Sequence, residues 1–258
     1  MNVKLSVMET IGLSILTNFG NYLGPTRPGA ALKAVYLKTS KGLAYARFTS
    51  ILAANTFLAF FMCGIVGVIL LFLLRELEKA DIPTALLLIC VSLIIGSAIP
   101  FIYKSPNLKE KGKFRKLLQS TLRGFEIIRA QKAKLGLICF TFFAQFLLSA
   151  VIYVAAFTCL GISITFLTAM VIGVFTSIAN LFTITPNNLG IQEAVSAYLF
   201  TISGFDFTIG VIGAGLVRVV HMTITFALTP IFVHYLLQYE DLKLSKVFSW
   251  LRVKGDSW

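Results

Sequence analysis

Three ionisable side chains, Glu193, Arg218 and His221, stand in apolar sequence of the kind a bilayer surrounds. An unpaired charge at bilayer depth costs at least ~2.5–3.5 kcal/mol on insertion scales, so Arg218 requires a partner. Glu193 is the only acidic residue from Ala130 to Phe205 and is the natural candidate. It follows Pro186-Asn187-Asn188-Leu189-Gly190, in the first turn of the next helix-like stretch, where the helix dipole favours an anion; a plain cap is the simpler reading. Arg27 lies between Pro25 and Pro28, which limit the local backbone. Its planar, permanently charged guanidinium suits a phosphate or carboxylate. Arg47 and Asn55 complete the polar groups near this first break. His221 reads as a histidine satisfied by a neighbouring helix, and His234 as interfacial.

The chain has no H-E-x-x-H, P-loop or G-x-S-x-G pattern, and two histidines give little capacity for a metal site. No catalytic residue, metal or cofactor is therefore expected. Cys63, Cys90, Cys139 and Cys159 all fall in apolar segments without C-x-x-C spacing and read as small buried hydrophobes.

The elements that position these groups are set by composition. Hydrophobic residues are 57% of the 258, charged residues 13%, and mean hydropathy is +0.85, the profile of a membrane protein. A net charge of +12 invites nucleic acid, but no soluble basic domain carries it. Contact with anionic headgroups is the better account, worth about 1 kcal/mol per basic residue at the surface. The expected architecture is all-α and polytopic: one integral membrane domain with about seven transmembrane or re-entrant helices. The apolar stretches are residues 5–23, 45–74, 82–103, 135–160, 164–185, 191–203 and 207–237. Glu9, Thr10, Thr17 and Asn18 interrupt the first, which argues against a signal peptide. The second is longer than the ~20 residues a crossing needs, and the sixth is too short for a comfortable one. Between the first two, Ala30–Lys38 reads as a short helix.

Of 23 Lys and Arg, 18 fall in three segments: residues 24–44, 104–134 and the tail. Alternation of spans puts all three on one side, which the positive-inside rule makes cytoplasmic. The N-terminus is then outside, so the count expects an upstream helix or a re-entrant segment. Within 104–134, Phe114, Leu117, Leu118, Leu122, Phe125 and Ile128 recur at helical spacing among basic residues. That is the pattern of an amphipathic helix lying on a membrane surface. Trp250 and Trp258 suit the interface.

Two Pro- and Gly-broken segments, 24–29 and 186–190, each precede a short helix-like stretch. Irregular backbone at membrane depth is tolerated only where protein or a water-filled cavity satisfies it. Paired breaks of this kind point to a transporter's substrate site; two ordinary cytoplasmic turns are the plain alternative.

At these residues a resemblance emerges. The run from Asn21 to Gly29, leading into Lys33-Ala34-Val35-Tyr36-Leu37, resembles the first signature of the lysylphosphatidylglycerol synthase transmembrane-region family. Pro186 to Ala194 resembles its second, a proline followed by Gly-Gly-Leu-Gly-Val-Arg-Glu-Ala, and Arg218 matches an arginine in its last long span. The fit covers nearly the whole chain, apart from an N-terminal helix of longer members and a soluble synthase domain that some members carry. The resemblance implies a flippase-like protein of the bacterial inner membrane that moves lipids or lipid-linked precursors. By this resemblance Arg27, Glu193 and Arg218 map onto motif positions, and with Asn21, Asn55 and Asn188 they are the expected substrate-binding residues. Ala30 replaces a usual acid, Asn55 a common arginine, and Asn187, Asn188 and Gln192 replace Gly, Gly and Arg. A different headgroup and a loss of transport both fit these departures.

The expected function is translocation of an anionic phospholipid or lipid-linked glycan precursor, without enzymatic activity. Membrane lipids are the expected partners, nucleic acid is not, and enzymes of cell-envelope glycan or lipid synthesis are candidates. A membrane enzyme on lipid-linked sugars and a non-transporting scaffold for glycan assembly are the alternatives.

Overall fold

Long apolar runs are accommodated in lipid by the α-helix, which satisfies its interior backbone polar groups within itself. The computed structural model describes residues 5–25, 27–102, 132–182 and 185–238, and among these it holds α-helix and no strand. In chain order the helices are α1 Val7–Tyr22, α2 Pro28–Lys41, α3 Tyr45–Glu78, α4 Thr84–Ile102, α5 Lys132–Cys159, α6 Phe166–Leu181, α7 Ile191–Ile202 and α8 Phe207–Gln238. A single 3-10 turn, Pro186–Asn188, separates α6 from α7. Helices α3, α5 and α8 are each long and apolar enough to cross a bilayer, and α4 and α6 are shorter apolar helices. The amphipathic helix expected within 104–134 lies outside the described residues, as do Trp250 and Trp258.

Two helices differ at their ends from the sequence reading. Helix α2 starts at Pro28 rather than Ala30 and runs to Lys41, stopped by Gly42 at φ 66°. Helix α3 continues through Arg75-Glu76-Leu77-Glu78, which reads as a charged turn. Its last residue explains the extension: the Glu78 carboxylate accepts hydrogen bonds from the hydroxyls of Thr165 and, at 2.9 Å, Thr168, at the start of α6. Lys79, at φ 54°, then ends the helix in the left-handed region.

Contacts divide the described chain into two compact units: residues 5–45, 185–187 and 220–238 form the first, and 46–102, 132–182 and 188–219 the second.

In the first unit α1 and α2 form a close hairpin. A methyl group on Gly29 would overlap the Thr17 carbonyl, and one on Gly20 would lie 2.6 Å from the Gly29 Cα. The two backbones therefore touch, as small residues allow between membrane helices. Gly12 of α1 faces Phe232 and Leu236 of α8, and Phe19 meets Phe226 edge-on at 5.2 Å. At the far end of the hairpin Glu9 is 2% exposed. It closes a capping box with Ser6, accepts from the Tyr36 hydroxyl at 3.2 Å, and pairs with Lys41 at 2.8 Å. Every charge-bearing oxygen of this buried acid thus has a partner.

The second unit is built around α6, which is apolar and buried almost all round. That pattern marks a central helix. Its Ile172, Val174 and Phe175 join Leu70, Leu71 and Leu74 of α3, Phe146 and Phe157 of α5, and Leu199 and Phe200 of α7 in one core. Phe157 stacks on Phe200 at 4.3 Å, and Phe200 on Phe205 at 4.5 Å. Cys63 and Cys90 are buried and reduced, as expected. Cys159 departs from that reading: as the last residue of α5 it is exposed.

Candidate functional site

Each helix break holds an arginine, and the two differ in how that arginine is satisfied. The second break is the tighter. Asn187, Asn188 and Gly190 have φ of 45°, 53° and 86°, so the chain turns through three left-handed residues in four positions. Asparagine is among the non-glycine residues that visit this region most readily. The exchange of a Gly-Gly pair for Asn187-Asn188 therefore preserves the turn. Asn188 is fully buried, and its side-chain amide donates at 2.6 Å to the Ala179 carbonyl in the last turn of α6, which also accepts from the Phe182 N–H.

Helix α7 begins directly after Gly190. Glu193, at its third position, accepts from the Gly190 N–H at 2.8 Å, so the cap reading of this residue is correct. The same carboxylate receives Arg218 from α8: Nε donates to Oε1, and Nη2 to Oε2 at 3.3 Å. Arg218 Nη2 also donates to the Gln192 side chain at 3.0 Å and to the Asn188 carbonyl at 3.2 Å. Gln192 in turn donates to Asn180 on α6. The Arg218 side chain is 8% exposed and that of Glu193 16%, so most of the pair is withdrawn from solvent. Capping and charge neutralisation are thus one arrangement: the acid that closes α7 also discharges the arginine of α8.

Gln192 and Asn180 belong to this network and were absent from the sequence-predicted set. Gln192 carries a signal in retrospect. An arginine there would face Arg218, whereas a glutamine accepts from it. Tyr153 of α5 and Ser196 of α7 add a buried hydroxyl pair at 3.2 Å in the same unit. Asn55 is exposed on α3, and no hydrogen bond ties it to the Arg218 group.

The first break lies in the first unit. Leu23 closes α1 by donating to the Gly20 carbonyl at 3.1 Å. Asn21 Oδ1 accepts from the Gly29 N–H at 3.2 Å, so the last turn of α1 caps the first turn of α2. Arg27 is the residue before α2, at φ 58° and ψ 56°, with Pro28 following it. The left-handed backbone sets the direction of the side chain at the positive end of the helix dipole. Arg27 is half-buried, and loss of solvent pulls its guanidinium below the ordinary arginine range. Tyr22 and His221 share a hydrogen bond at 3.0 Å, with Phe226 against the Tyr22 ring at 5.8 Å. His221 is thus satisfied by a neighbouring helix.

The long apolar helices and the ionisable groups fixed among them define the class: a multi-pass α-helical membrane protein. Within that class the chain belongs to the family described as the lysylphosphatidylglycerol synthase TM region, whose profile matches residues 1–229. Membership ties it to the handling of lipids in the membrane. No curated protein and no solved structure matches it.

Proposed function

We propose that the protein moves an anionic phospholipid or a lipid-linked glycan precursor between the leaflets of the bacterial inner membrane, with its basic loops cytoplasmic. The observation that carries this reading is Arg27, a half-buried guanidinium held on a left-handed residue at the start of α2. A phosphate ester there meets a planar charged donor and the positive end of a helix together. Acyl or prenyl chains stay in the bilayer, so only the headgroup needs a polar path.

The reading is non-enzymatic. A general base needs an unengaged carboxylate near the operating pH. Glu9 and Glu193, the two acids set within apolar sequence, are each bound to a cation and a backbone N–H. Reconstituted proteoliposomes carrying a labelled anionic lipid provide the test. Arg27→Leu should abolish leaflet exchange while the protein stays folded. Equal exchange rates for wild type, Arg27→Leu and empty vesicles, across several anionic lipids, would refute translocation.

A further inference from the structure

The exposed face of α1 carries a row of polar side chains, and one of them is unlike the rest. Thr10 and Ser14 are exposed, but their hydroxyls donate to the Ser6 and Thr10 carbonyls at 3.0 and 2.9 Å. Their own helix therefore satisfies them. Asn18, the next turn along, is exposed and makes no hydrogen bond among the described residues. One turn beyond it stands Tyr22, whose hydroxyl shares the 3.0 Å hydrogen bond with Nδ1 of His221. Residues four apart on a helix have Cβ atoms about 6 Å from each other, so Asn18 and the Tyr22–His221 pair are neighbours on one side of α1. All three residues belong to the first unit.

Helix α8 sets the depth of this cluster. His221 is exposed near the middle of Phe207–Gln238, a helix long enough to cross a bilayer. Hydrocarbon at that depth offers no hydrogen-bond partner, so an amide or imidazole turned toward it is costly unless a polar group visits. The same half of α8 avoids that cost elsewhere: Thr225 and Thr229 are buried, and the Thr229 hydroxyl donates to the Thr225 carbonyl at 2.6 Å.

The kinds of group present decide what the visitor is. Amide, phenol and neutral imidazole each combine donor and acceptor capacity without an obligate charge, and a hydroxyl has the same double character. An ammonium would need a counter-charge. Glu9 is the only carboxylate among the described residues of this unit, and it is buried at the far end of the hairpin with Lys41 at 2.8 Å. We infer that Asn18, Tyr22 and His221 form a subsite for the hydroxyl groups of a lipid headgroup, a glycerol or a sugar. Its part in carrying cargo rests on the translocase reading, in which Arg27 takes the phosphate and this cluster takes the hydroxyls. The hydrogen bond to His221 fixes the Tyr22 oxygen, and the Phe226 ring lies against the Tyr22 ring at 5.8 Å. A phenol has one donor and two acceptor positions, so that bond is compatible with a further partner.

The test compares two anionic lipids that differ in headgroup hydroxyls, phosphatidylglycerol and phosphatidylmethanol, mixed equally in nanodiscs with the full chain. Native mass spectrometry reads which lipid stays bound. A neutral hydrogen bond is worth roughly fivefold, so phosphatidylglycerol should be favoured by about tenfold. Asn18→Leu and His221→Phe should each lower that ratio about fivefold, while unchanged binding of phosphatidylmethanol reports an intact fold. Equal retention of the two lipids by the wild type, or a preference that survives both substitutions, overturns the subsite. Displacement of phosphatidylglycerol by an equal amount of phosphatidylethanolamine overturns the assignment to hydroxyls. Leaflet exchange separates the two readings. A phosphatidylglycerol preference in binding with no exchange of either lipid sinks the translocase and leaves the subsite. Equal binding and equal exchange of both lipids sink the subsite and leave the translocase.

Discussion

Removing the acid of the Arg218–Glu193 pair should cost more than removing both partners. In Glu193→Gln, Arg218 keeps only neutral acceptors, Gln192 and Asn188, with its side chain 8% exposed. Breaking a buried pair in this way costs about 3–5 kcal/mol, and a central arginine about 2.5–3.5 kcal/mol on insertion scales. We expect the lower end, about 3 kcal/mol, because two acceptors remain. Arg218→Met is milder: Glu193 keeps the Gly190 N–H at 2.8 Å and the start of α7, where the helix dipole favours its charge. About 2 kcal/mol is expected there, and about 2 kcal/mol for the double variant, which leaves no charge stranded. The coupling is then about 3 kcal/mol, roughly 150-fold in the unfolding equilibrium. Titration of the purified protein from mild detergent into dodecyl sulfate, followed by helicity, measures all four corners of the cycle. A coupling under about 0.5 kcal/mol would mean that the pair behaves as a solvated surface contact, and would refute the argument.

Asp206 gives a pH signature. Its carboxylate accepts from the Thr208 N–H at 2.7 Å and from Ile209, which holds it below the usual aspartate range. A lowered folded value stabilises above the ordinary carboxylate pKa of about 4 and is lost as pH falls through the folded value. Thermal unfolding should therefore show an acid-side drop that Asp206→Asn, still a competent cap, lacks; superimposable profiles would contradict it. Cys159 is exposed whereas Cys63 and Cys90 are buried. With the basic loops cytoplasmic, a membrane-impermeant maleimide should label Cys159 alone in intact cells, read by mass; labelling only after permeabilisation would reverse the proposed orientation.

The helices were legible because uninterrupted hydropathy admits little else in lipid. Glu193 and Arg218 could be paired on sequence because charges in that region are so few. The Glu9–Tyr36–Lys41 cluster was hidden for the opposite reason: Lys41 reads as one more basic loop residue, and only the closeness of the hairpin carries it to Glu9. The end of α3 was hidden because Arg75, Glu76 and Glu78 have the composition of a turn, and the threonines that hold Glu78 lie 87 and 90 residues away. Lys33 was visible as a charge but not as a half-buried one. Burial depends on which face of α2 meets α1, and the short helix has too weak an apolar pattern to declare that face.

The bridge from Asn21 to Gly29 has a kinetic meaning. It joins the two ends of a short loop, so Asn21 and Gly29 are held together before any ligand arrives. Two prolines narrow the backbone further. Under the proposed translocation, a headgroup would find the Arg27 guanidinium on a restricted backbone and lose little of its binding energy to ordering the loop. A carrier gains from this, since it must recognise its cargo and also let go: selectivity can come from geometry while the affinity stays weak enough for release.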